Sequence, residues 1–114
     1  MRATRQKTIL GELNVYKADK FLLRLKGLLF AKQLSPSECI LIEPCGSIHT
    51  VGMRYSIHVM FLSDDFTILR IKNNLKPNRF CLGSSKASKV VEFSAEFDEI
   101  PSTVIGKKFI RSRL

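Results

Sequence analysis

Hydrophobic residues fall along the chain in short runs broken by polar turns, a pattern that predicts strands more often than helices. Residues 7–16, KTILGELNVY, mix β-branched and aromatic residues around Gly11 and predict an opening strand kinked at the glycine. Residues 18–29 differ. They place Phe21, Leu22, Leu25, Leu28 and Leu29 on one helical face, with Asp19 at the start as a cap and Gly27 near the end. Beyond Pro36 the period changes again. CILIEP (39–44) reads as an apolar strand stopped by proline, and IHVMFL (57–62) as a central strand buried on both faces. Asp64 and Asp65 make a turn into FTILRIK (66–72), which completes a hairpin, and NNLKPN (73–78) reads as a loop. KVVEFSAEF (89–97) reads as a further strand, 100–103 as a turn and KKFIRSR (107–113) as a closing strand. The sum predicts one α+β domain over residues 1–114, mainly antiparallel β and barrel-like, with one helix near the N-terminus.

Composition agrees with a folded domain. The 114 residues are 45% hydrophobic and 25% charged, enough for one core without a metal or disulfide staple. The most apolar window, FLLRLKGLLF (21–30), is interrupted by Arg24 and Lys26 and is too short to span a bilayer. The basic opening residues lack the apolar run of a signal peptide, so the expected location is the cytoplasm. In a reducing compartment Cys39, Cys45 and Cys81 are expected as free thiols, and the absence of C-x-x-C argues against a dithiol or zinc ribbon. Nineteen Lys and Arg against ten Asp and Glu give a net charge of +9. That balance suits an anionic partner, but the basic residues are spread out, with a cluster only at Lys107, Lys108, Arg111 and Arg113. No nucleic-acid recognition signature accompanies them, so nucleic acid is the weaker expectation.

Chemistry concentrates in CGSIHTVGMRY (45–55), between the strands CILIEP and IHVMFL. In an extended segment Cys45, Ser47 and His49 share a face. That grouping suits a thiolate activated by imidazole, or a soft metal held by sulfur and nitrogen. Cys45, His49 and His58 are the candidate metal ligands, although their spacing matches no standard zinc pattern, so no metal is favoured and no cofactor is implied. Structural readings stand beside these. Cys45 also suits a small buried hydrophobe, and Ser47 and Thr50 suit local backbone hydrogen bonds. Arg54 precedes the strand expected to be buried; its fork of donors suits a carboxylate or phosphate ligand, or a salt bridge to Glu43 or Glu92.

The motifs RLKGLLF (24–30), PCGSIHTVGMRY (44–55), IHVMFL (57–62) with its acidic turn, LKP (75–77) and VVEF (90–93) occur in an order that resembles the small bacterial and archaeal domain-of-unknown-function family 192. The resemblance covers nearly the whole chain and rests most heavily on S-I-H-T-x-x-M-R. It implies a compact, mainly β, barrel-like domain with an early helix, and no activity. Two departures stand out. Relatives usually read M-R-x-P-I-D-V where this chain has Ser56 and His58, so His58 replaces an acid. Relatives also tend to a P-A-G turn where this chain has Ser94-Ala95-Glu96, which predicts a longer strand.

The expected function is therefore a small binding domain that takes a polar or anionic ligand at residues 45–58, using Cys45, Ser47, His49, Thr50, Arg54 and His58. An enzyme or metal site built on Cys45 and His49 is one alternative. A basic module for nucleic acid or protein is the other.

Overall fold

A computed structural model describes residues 3–18 and 34–111. The opening segment is a hairpin and not one kinked strand. Strand β1 (Ala3–Thr8) turns at Ile9 and Leu10 into the antiparallel strand β2 (Gly11–Ala18). Gly11 takes φ +108°, a conformation open to glycine, and Thr8 locks the turn by donating its hydroxyl to the Gly11 carbonyl at 2.8 Å. Strand β2 runs parallel to β3 (Glu38–Ile42). Next come β4 (Ser47–His49), β5 (Ile57–Leu62), β6 (Ile68–Leu75), β7 (Phe80–Leu82) and β8 (Lys89–Ser94), then a single turn of 3-10 helix at Ser102–Val104.

Six strands form one sheet in the order β1-β2-β3-β8-β5-β6, and β4 pairs with β7 in a separate ribbon. The α+β, barrel-like expectation is corrected on both counts. No α-helix occurs among the described residues, and the sheet is open between β1 and β6. The helix expected over residues 18–29 lies outside the described residues from position 19 onward, while Ala18 ends β2. Of the closing strand expected at 107–113, the described residues 107–111 make two isolated bridges, Thr67 to Lys108 and Thr8 to Ile110, and the rest lies outside the described residues. Those bridges tie the two edges at one end without closing a barrel. Asn73, Asn74 and Leu75, expected in a loop, finish β6. Strand β8 stops at Ser94, because the Ser94 carbonyl takes the Phe97 N–H at 3.0 Å and turns the chain, so Glu96 does not lengthen it.

The unbroken apolar run of β5 has a direct cause: the sheet is buried on both faces. Ile57, Val59 and Phe61 pack with Ile40, Ile42 and Val90 on one face, under Cys45, Met53 and Cys81. Met60 and Leu62 pack with Leu13, Val15, Leu41 and Phe93 on the other, under Ile100, Val104, Phe109 and Ile110. Covered strands carry side chains of one polarity in both directions, which erases alternation.

His58 lies on the second face and is fully buried. Its Nδ1 accepts the Asn74 N–H at 3.0 Å, so the ring proton sits on Nε2 and is donated to the Phe97 carbonyl at 2.8 Å. The pairing of β5 with β6 shifts register between Ile57 and Val59, and the imidazole supplies the bond the ladder loses there. Replacing His58 with Ala takes the imidazole from the Asn74 N–H and the Phe97 carbonyl, both in part-buried bonds, and empties a fully buried position. The expected loss is about 2–4 kcal/mol in urea unfolding, with the fold retained.

Candidate functional site

Pro44 ends β3, and the chain crosses the first face of the sheet. The Cys45 N–H bonds the Ser88 carbonyl at 2.8 Å, and the Gly83 N–H bonds the Gly46 carbonyl at 3.0 Å. Gly83 has no room for a side chain, since a Cβ there would stand 2.6 Å from Phe61 Cδ1 and 2.8 Å from the Gly46 oxygen. The ribbon follows, with Ser47 opposite Leu82, Ile48 opposite Cys81 and His49 opposite Phe80. These strands, SIH and FCL, are three residues each, too short for a period to show in the sequence.

Thr50 fastens the far end. It is fully buried; its hydroxyl donates to the Lys76 carbonyl at 2.5 Å and accepts the Arg79 N–H at 2.9 Å. Its own N–H and carbonyl bond Arg79 and Asn78 across the same gap. Thr50 is thus a clamp between the motif and the 76–79 loop, with its donors and acceptors occupied.

The other candidate residues separate. Cys45 is buried, with its thiol donating to the Ser47 carbonyl at 2.9 Å. Ser47 is half-buried, and His49 and Arg54 are exposed. His58 is on the opposite face of the sheet from Cys45, so Cys45, His49 and His58 do not converge. Among the described residues no three His, Cys, Asp or Glu side chains form a cradle for a metal ion. The expected salt bridge of Arg54 to Glu43 or Glu92 is absent among the described residues. Glu43 is instead bound by Lys89 at 2.6 Å and Lys17 at 3.4 Å, and the bond from Lys89 holds its carboxyl below the usual range.

The residue that sequence reasoning passed over is Glu92. It lies on β8 between Ile40 of β3 and Val59 of β5 and is 1% exposed. Its Oε1 has no hydrogen-bond partner among the described residues. Burial pushes the carboxyl from its usual 4.5 up to about 8, so it is protonated at neutral pH. Beside it is a small cavity of about 10 Å³ lined by Leu34, Ile40, Met53, Tyr55, Ile57 and Ser94. Met53 and Tyr55 come from the motif, so residues 45–55 roof the acid. The Tyr55 phenol is itself raised, first by burial and then by the Glu92 charge. One acid inside the apolar run Val90-Val91-Glu92-Phe93, in phase with Val90, was the available signal.

The fold and site define an open β-sheet domain with a ribbon-fastened loop laid over a buried acid. The family model described as "Uncharacterized ACR" (domain of unknown function 192) matches residues 2–109, and the chain belongs to that family. It is similar in structure to a protein of unknown function from Novosphingobium aromaticivorans, with a TM-score of 0.62 and 17% identity over 75% of this chain and 67% of that one. It is also similar to a candidate transcription regulator from Sinorhizobium meliloti, with a TM-score of 0.65 and 20% identity over 83% of this chain and 84% of that one. At those identities the likeness is one of fold alone. No curated protein matches the chain.

Glu92 makes stability depend on pH with a definite sign. Unfolded, the acid ionises near 4.5; folded, it stays protonated to about 8. Between those values the native state holds the extra proton, so stability falls as pH rises and levels off above the upper one. Relative to wild type, Glu92→Gln should gain about 1.4 kcal/mol per pH unit across that window in urea unfolding. A constant difference would remove the buried acid from the account.

Proposed function

We propose that the chain is a binding domain that takes a small polar ligand at residues 45–58, with Glu92 as the buried anchor. The observation behind this reading is a fully buried carboxyl whose Oε1 has no partner among the described residues, beside a cavity roofed by Met53 and Tyr55. Buried polar groups without partners are rare, and they concentrate where a ligand completes the bonding. The cavity holds a head group about the size of a water molecule, so the body of the ligand lies outward, toward Tyr55. A protonated carboxyl both donates and accepts, whereas an anion would meet an acid in an apolar setting. The ligand is therefore polar and not anionic at this end. Ser47, His49 and Arg54 remain at the surface for the rest of it.

We assign no reaction. A cysteine nucleophile needs access and a stabilised thiolate, while Cys45 is buried with its thiol turned to a carbonyl. Among the described residues no helix is long and apolar enough to cross a membrane. Cys39, Cys45 and Cys81 are all buried, which supports a reducing, cytoplasmic location.

The test is an NMR titration at neutral pH with acetamide and methylammonium as donor probes and acetate as the anionic control. Saturable shifts of the Met53 and Ile57 methyl signals with a donor, absent with acetate and lost in Glu92→Leu, are expected. No shift at those methyls with either donor, or an equal shift in the variant, contradicts the proposal.

A further inference from the structure

We propose a second site, for a small phosphate-bearing ligand, in the cleft where β1 meets the C-terminal segment. The sequence clusters Lys107, Lys108 and Arg111 near the chain end. The fold brings Lys7 to them from the opposite end. The Thr8–Ile110 bridge and the Ile9 N–H bond to the Phe109 carbonyl, 2.9 Å long, hold the two segments together. The resulting cleft has a volume of about 480 Å³ and is lined by Lys7, Thr8, Ile9, Lys108, Phe109 and Arg111. That volume lies within the ~300–1,000 Å³ typical of small-molecule sites.

Three of the six lining residues are cations and none is an acid. Lys7, Lys108 and Arg111 are all exposed. Among the described residues Lys108 pairs with Asp65, 3.8 Å from its ammonium, and both members are more than half exposed and so weakly held. Glu12 faces Lys7 across the hairpin but its carboxylate is bonded to Arg5. The Ile9 and Phe109 N–H groups and the Thr8 hydroxyl are spent inside the fold. Recognition therefore falls to the side-chain cations. Two ammonium groups and one planar guanidinium suit a multiply charged, tetrahedral anion, the guanidinium supplying paired bonds. Ile9 offers an apolar wall to whatever carries the phosphate. This site is separate from the Glu92 cavity and takes an anion, which that cavity does not, so either can fail alone.

Pyrophosphate titrated into the full chain at low salt tests it, with inorganic phosphate as a second arm. Saturable amide shifts confined to Thr8, Ile9, Lys108, Phe109 and Arg111 are expected, tighter for pyrophosphate. Lys7→Gln with Arg111→Gln should weaken binding by roughly tenfold or more. The charge-matched control, Lys72→Gln with Lys86→Gln on exposed positions elsewhere, should change it by less than about twofold. Both double variants are surface changes, and a dispersed amide spectrum confirms that each is folded. Absence of saturable shifts, or equal weakening by the two pairs, overturns the site and reduces the effect to net charge.

Discussion

Strand β8 is buried from Val90 to Ser94. It is hydrogen-bonded to β3 on one side and β5 on the other, and both of its faces are covered. A polar side chain on its inner positions has to find its partner in the protein or in a group bound beside it, because bulk water is kept away. The structure meets this condition with care elsewhere. His58 uses both ring nitrogens, Thr50 uses its hydroxyl twice, and Ser94 accepts the Glu96 N–H at 3.1 Å. Glu92 stands out because, among the described residues, nothing meets the same condition at its Oε1. The loop above it is fastened at Gly46, the ribbon and Thr50, so the cover is built and not incidental.

Much of the sheet was legible in the sequence. CILIEP, IHVMFL and the VVEF run became β3, β5 and β8, since strands covered on both faces must be apolar throughout. The failures have equally physical origins. Gly11 was read as a kink because a two-residue turn without Asn or Asp leaves little trace. The β4–β7 ribbon was invisible because its pairing joins three-residue segments more than thirty positions apart. The barrel failed because the last segment touches both sheet edges at single residues.

The motif could be placed between two strands from sequence, but not the duties of its side chains. Burial and partners come from distant residues: the hydroxyl of Thr50 is committed to Lys76 and Arg79, 26 and 29 positions away. Alternation alone grouped Cys45 with His49, whereas the fold turns the thiol inward and leaves the imidazole in solvent. His58 shows how a departure from the family pattern can be structural. An ionised aspartate there could accept from Asn74 but could not donate to the Phe97 carbonyl, whereas the neutral imidazole does both.

The most direct measurement is the titration of the Glu92 side-chain carboxyl carbon by NMR in isotopically labelled protein. A midpoint near 8 is predicted, because burial disfavours the charged form and keeps the acid neutral at physiological pH. A midpoint near the ordinary 4.5 would show the carboxyl hydrated or paired, and would contradict the buried anchor on which the proposed binding site rests.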